Sequence, residues 1–166
     1  KFIADFGSIH INEFPKDPDF TRGSAPMVLD QCEHCQLVQM RHTVNPDVLY
    51  GEHYWYESGL NKKLKDNLLE IASYGNDNTE PGDIVLDIGA NDGTLLSGIE
   101  HDRYRIGCEP APNLIRKLSK ECDAVINDMW QYKLMDGRKA KFITAIGMFY
   151  DLDDPNKFIY SVNESL

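Results

Sequence analysis

The stretch Val85-Leu-Asp-Ile-Gly-Ala-Asn-Asp-Gly-Thr-Leu-Leu96 decides the fold. A short apolar run reaches Gly89, three residues follow, and Gly93 opens a second apolar segment. Glycine is needed where a chain turns sharply at a strand end and where a ligand must approach backbone N–H groups with no Cβ in the way. An ordinary strand-to-helix turn has the same outline, so the flanking pattern carries the decision.

Downstream, apolar runs alternate with helical periodicity. Residues 84–88, 104–108, 124–126 and 141–149 read as strands, and 94–99, 112–121 and 156–166 as helices, the second with Pro112 in its first turn. Such alternation predicts a parallel sheet with crossover helices. Upstream, Leu60, Leu64, Leu68 and Ile71 make one apolar helical stripe, expected to end before Gly75, with a loop over 76–82.

The first fifty residues differ. Gly7, Pro15, Pro18, Gly23, Pro26 and Pro46 interrupt them, which excludes long helices and favours short strands and turns. Residues 25–30 and 36–40 flank Cys32-Glu-His-Cys35, a strand, a tight turn and a strand. The predicted architecture is α/β: a small β-rich module over 1–53, then part of a Rossmann-like sheet over 54–166. Four strands without a closing half, a first residue that is Lys1 and a last helix reaching Leu166 mark the chain as an expected fragment.

Composition narrows the function. The 166 residues are 42% hydrophobic and 27% charged, with a net charge of −10. A nucleic-acid binder needs a clustered basic surface that this chain lacks, and no run approaches the ~20 apolar residues of a membrane span. No signal peptide pattern and no disulfide framework is visible, so a cytoplasmic protein is expected.

Charge also selects the ligand of the glycine loop. A dinucleotide site has three glycines and seats a pyrophosphate on a helix N-terminus. Here the middle position is Asn91, and Asp87 and Asp92 flank it. Carboxylates repel a pyrophosphate and suit a ligand with a cationic end, such as an amino-acid ammonium beside a sulfonium. S-adenosylmethionine is such a ligand. Glu109, before Pro110, lies 109 − 87 = 22 residues after Asp87, near the ~20-residue offset at which an acid meets ribose hydroxyls. After the third strand, Asp128 is a candidate acceptor for an adenine amino group and Met129 a candidate ring contact, although an Asn-Asp pair is also a common turn. The expected cofactor contacts are thus Asp87, Gly89, Asn91, Asp92, Gly93, Glu109, Pro110, Asp128 and Met129, with Ile146 and Gly147 at the end of the fourth strand.

Cys32 and Cys35 have the spacing of one corner of a tetrahedral zinc site. Zinc takes four ligands, and Cys108 and Cys122 read as small core residues, so the pair is expected to be half of a site.

The cysteine knuckle, the aromatic segment Tyr54-Trp-Tyr-Glu-Ser-Gly59, the loop Leu86-Asp-Ile-Gly-Ala-Asn-Asp-Gly93 and Phe149-Tyr-Asp-Leu-Asp-Asp-Pro155, in that order, resemble the S-adenosylmethionine-dependent sugar C-methyltransferases. The resemblance implies a structural zinc on four cysteines, of which Cys32 and Cys35 match the second pair, then a class I methyltransferase domain. It implies methylation of a carbon beside the ketone of a nucleotide-linked 4-keto deoxysugar. In the implied reaction a base removes the acidified proton, the resulting enolate attacks the methyl carbon in line, and the methyl–sulfur bond breaks so that sulfur leaves without its charge. Tyr54 and Tyr56 are candidates for work at the reacting centre; aromatics that merely pack a domain seam would look the same. Asp151 stands where related members carry His, a departure that leaves the base unassigned. Two alternatives stay open: methylation of oxygen or nitrogen on another small molecule, and a zinc-containing binding module without chemistry.

Overall fold

The computed structural model describes residues 1–11, 19 and 23–166, so Pro15 and Pro18 lie outside the described residues. The chain divides into two compact units, Lys1–Trp55 and Tyr56–Leu166.

The first unit is an antiparallel sheet of β1 (Phe2–His10), β2 (Ser24–Gln31) and β3 (Val38–Met40), in that order, followed by a short helix α1 (Pro46–Leu49). Strand β1 is longer than the density of glycine and proline predicts. It survives because Gly7, at φ +75°, forms a bulge that shifts the register between Asp5 and Ser8 instead of ending the strand. Between β2 and β3 the turn closes through Cys32 N–H to the Leu37 carbonyl (2.8 Å) and Gln36 N–H to the Cys32 carbonyl (3.0 Å), with Gln36 at φ +65°.

The second unit is built on a parallel sheet in the order β6-β5-β4-β7, from β4 (Ile84–Ile88), β5 (Tyr104–Cys108), β6 (Ala124–Ile126) and β7 (Phe142–Thr144). All-parallel sheets are covered on both faces, which makes their strands continuous apolar runs. Val85, Leu86, Ile88 and Ile106 are accordingly buried. One face carries Leu95, Leu96, Ile99 and Leu118 with the helix α2 (Lys62–Asp77); the other carries Met135, Ala140 and the partly buried Phe158 and Val162 of the last helix α4 (Pro155–Asn163).

Several helices depart from expectation. Helix α2 runs through Gly75, because this glycine is a packing contact: a Cβ there would lie 2.9 Å from the Phe142 ring. Asn61 caps its start by accepting from Leu64 N–H. Leu60 precedes the helix in a 3-10 turn and is 80% exposed, so the stripe begins at Leu64. After the glycine loop there is no α-helix, only the 3-10 turn Leu96–Gly98. Leu95, Leu96 and Ile99 are all buried, and Gly98, a poor helix former, lies so close to α2 that a Cβ would sit 2.8 Å from Ala72 and Leu69. The helix expected over 112–121 shrinks to α3 (Ile115–Leu118), flanked by i→i−3 turns such as Lys117 N–H to Leu114 O and Glu121 N–H to Leu118 O. Strand β7 stops at Thr144, and Gly147 at φ +70° turns the chain into the 3-10 turn Phe149–Asp151. The final helix ends at Asn163 and starts under the side-chain cap of Asp154.

Candidate functional site

Ligands of open parallel sheets bind outside the carboxyl ends of the strands. There β4 delivers Asp87, β5 delivers Glu109 just past its end, and β7 delivers Thr144. Parallel pairing sets Asp87 opposite both Gly107 and Thr144. Asp87 and Glu109 are each only 4% exposed. Thr144 Oγ1 donates to Asp87 Oδ1 at 2.7 Å. Burial pushes the Asp87 carboxyl up to about 7, against the Thr144 hydrogen bond, and the neighbouring Glu109 adds to the rise. Burial raises Glu109 too, opposed by backbone donation from Ala111 and Asn91. Among the described residues neither acid forms a salt bridge.

The glycine loop turns its own donors inward. Gly89 and Ala90 N–H groups donate to the Cys108 carbonyl (2.8 and 3.0 Å), Asn91 N–H donates to Glu109 Oε2 (2.8 Å), and Gly93 N–H donates to the Ala90 carbonyl (3.0 Å). Ala111 N–H holds the other Glu109 oxygen at 2.9 Å. A pyrophosphate needs free N–H groups and a following helix. Here the named donors are engaged and the helix is missing, so the loop is unsuited to a dinucleotide phosphate. Two buried carboxylates without a cation fit instead a ligand that brings positive charge.

The loop side chains have a different occupation. Asn91, at φ +53°, accepts from Ser58 N–H on Oδ1 (2.9 Å) and donates from Nδ2 to the Tyr56 carbonyl (3.1 Å). Asp92 accepts from Gly59 N–H (2.8 Å) and from Thr94 Oγ1 (2.6 Å). Gly89 and Gly93 have φ +74° and +85°, which explains glycine at both positions.

The other candidates are placed as follows. Pro110 follows Glu109, and Asn127 Nδ2 donates to both carbonyls, 2.9 and 3.1 Å away. Asp128 is exposed, accepts from Met129 N–H at 2.7 Å, and its carbonyl takes the Cys108 thiol; Met129 is half-buried. Ile146 and Gly147 are exposed beyond β7. Tyr56 is half-buried in the second unit. Tyr54 belongs to the first unit, its ring centroid 5.5 Å from that of Tyr50. Asp151 is exposed in the turn after β7. Thr144 and Asn127 escaped sequence reasoning. A hydroxyl at the end of the fourth strand is the only available signal for Thr144, and it becomes meaningful only once the register with Asp87 is known.

In the first unit, backbone N–H groups of Cys35 and His34, with the Cys35 side chain, hold the Cys32 thiol below its ordinary value. Donation to sulfur favours the thiolate that a metal requires, so this turn fits one corner of a zinc site. Among the described residues no group of three or more His, Cys, Asp or Glu is arranged to hold a metal ion. No helix among the described residues is long and apolar enough to cross a membrane.

The chain is 31% identical over 122 residues to C-methyltransferase NovU of Streptomyces niveus, a match covering 68% of this chain and 28% of that protein. The chain therefore spans well under two thirds of that relative's length. A solved structure, YjhP from E. coli, aligns at 13% identity and a TM-score of 0.45 over 69% of this chain and 49% of that one. No protein-family model matches.

Proposed function

We propose that this chain binds S-adenosylmethionine at the carboxyl ends of β4 and β5 and serves a methyltransferase whose acceptor is a carbon of a nucleotide-linked 4-keto deoxysugar. The observation that carries the cofactor is the pair of buried carboxylates Asp87 and Glu109, which form no salt bridge among the described residues, beside a loop whose Gly89, Ala90, Asn91 and Gly93 N–H groups are engaged internally. The identity with a C-methyltransferase supports the reaction class. S-adenosylmethionine supplies, when bound, an electrophilic methyl group on a sulfonium.

The chain's own residues divide the remaining work. Asp87, braced by Thr144, provides negative charge for the amino-acid end. Glu109 has about four lone-pair positions. Asn91 and Ala111 N–H groups occupy two, and the rest are available to ribose hydroxyls. Gly89 and Gly93 let backbone approach the ligand, while Pro110, Asp128, Met129, Ile146 and Gly147 line the base and methyl ends. Asn91 and Asp92 contribute by shaping the loop. Tyr54, Tyr56 and Asp151 are assigned to acceptor orientation or proton transfer, and Cys32 and Cys35 to half of a structural zinc site.

Calorimetric titration tests this. S-adenosylmethionine is expected to bind and NAD to give no heat. Glu109→Gln is expected to weaken binding by roughly one to two orders of magnitude, as for a lost charge-assisted hydrogen bond of about 1.5–3 kcal/mol. NAD binding without S-adenosylmethionine binding overturns the cofactor. Once binding is established, methyl transfer to oxygen or nitrogen in preference to carbon overturns the acceptor.

A further inference from the structure

Residues 56–59 run across the glycine loop as a strap, and the middle of that loop is built to hold them. Asn91 grips the strap at two points, the Tyr56 carbonyl and the Ser58 N–H, and Asp92 grips a third, the Gly59 N–H. Lys117, from α3, adds an ion pair with Glu57. The fit at Gly59 is tight: a Cβ there would lie 2.8 Å from both Asp92 Oδ2 and Thr94 Oγ1. Asn91 accepts a left-handed backbone to make these contacts, a conformation that asparagine tolerates better than most residues.

Asn91 also faces the other way. Its backbone N–H is the donor that holds Glu109 Oε2. One buried residue therefore joins the strap, through its side chain, to the acid proposed for the ribose, through its backbone. Both sets of bonds are anchored on the Asn91 Cα, so a displacement of that residue toward or away from Glu109 would be shared by the amide that clamps Tyr56 and Ser58.

We propose that residues 56–59 form a latch, with Asn91, Asp92 and Lys117 as its positioning residues, that couples occupancy at Glu109 to the placement of Tyr56. The coupling, unlike the latch, rests on the proposed cofactor. Coupling of this kind is reciprocal: a ligand that favours the closed loop tightens the strap, and a broken strap weakens the ligand.

Residue-resolved hydrogen exchange on the full chain, read at Ser58 and Gly59, tests the latch without any ligand. Asn91→Gly keeps the left-handed backbone and removes both side-chain bonds. Exchange at Ser58 is expected to be roughly tenfold faster, while the β4 amides keep their protection and report that the sheet is intact. Asp92→Ala is expected to do the same at Gly59, and Asp92→Asn, which retains an acceptor oxygen, to restore protection there. Lys117→Met, away from the loop, is expected to speed exchange across the strap by about threefold, and carries the test if Asn91→Gly does not fold. Equal rates at Ser58 and Gly59 in wild type and these variants overturn the latch.

Saturating S-adenosylmethionine is then expected to slow both amides about fivefold in wild type but not in Asn91→Gly. Binding heat with unchanged exchange overturns the coupling. Absence of binding heat in wild type overturns the cofactor reading, while the ligand-free comparison still decides the latch.

Discussion

The two sheets of this molecule differ in what holds them. In the parallel sheet, Val85, Leu86, Ile88 and Ile106 are at most 1% exposed and two apolar layers cover the strands. In the antiparallel sheet only Val28 among the hydrophobic side chains of β1–β3 is buried, while Phe2, Phe6, Ile9, Val38 and Met40 are each more than 40% exposed. Asp30 and Arg41 tie β2 to the segment after β3 with two 2.7 Å hydrogen bonds, and Arg41 lies 5.7 Å from the Phe2 ring centroid. The parallel sheet thus has a core of its own, in which acids can be buried and tuned. The antiparallel sheet relies on its ladder, its surface pairs and the cysteine turn, the setting in which a metal cross-link contributes most.

That contrast ranks the expected effects of change. Leu86→Ala, at a fully buried position, is expected to destabilise the second unit by about 2–5 kcal/mol in urea unfolding. A loss below about 1 kcal/mol would break the claim that this sheet carries the core.

Asp87→Asn should separate stability from function. The folded carboxyl titrates near 7 against an ordinary 3.8, so the folded state holds a proton that the unfolded state releases. The wild type accordingly loses stability as pH rises from about 4 to about 7, and stays at the lower level above that. Asp87→Asn, which keeps an acceptor for Thr144, removes this loss and is expected to raise the melting temperature at pH 8. The same substitution is expected to weaken S-adenosylmethionine roughly 10- to 100-fold. Because a cationic ligand favours the ionised acid, wild-type affinity should also fall as pH drops below about 7, approaching tenfold per unit. A flat affinity profile between pH 5 and pH 8, measured calorimetrically, would remove Asp87 from the ligand contacts.

The next effect belongs to the first unit. Titration of this chain with cobalt or zinc is expected to show weak binding at Cys32 and Cys35, at least a hundredfold weaker than a four-ligand structural site, as two ligands cannot close a tetrahedron. Tight stoichiometric uptake would mean that further residues complete it. Smallest of all, Phe6→Ala, at a side chain 59% exposed, is expected to change stability by no more than about 0.5 kcal/mol. A larger cost would reveal burial of β1 in solution and erase the contrast between the sheets.

The turn and the charge of the glycine loop were legible in the sequence. A strand ending at Gly89 predicts a ligand loop, and two acids with no third glycine point away from a pyrophosphate. Helix lengths were less legible, because Gly75 and Gly98 are identical as letters yet act as packing contacts against Phe142 and α2. The duties of Asn91 and Asp92 were hidden for a related reason. Their partners lie more than 30 residues earlier in the chain, and no local spacing reports a hydrogen bond to a backbone that distant.

By itself the sequence determined the alternation of strands and crossovers, the cysteine turn and the charge of the loop, since each follows from local periodicity, turn chemistry or residue type. Only the tertiary structure decided that Thr144 braces Asp87, that the loop's N–H groups are engaged internally and that Asn91 joins a strap to Glu109. Those relations depend on strand register and chain crossing, which place atoms distant in sequence within hydrogen-bonding reach.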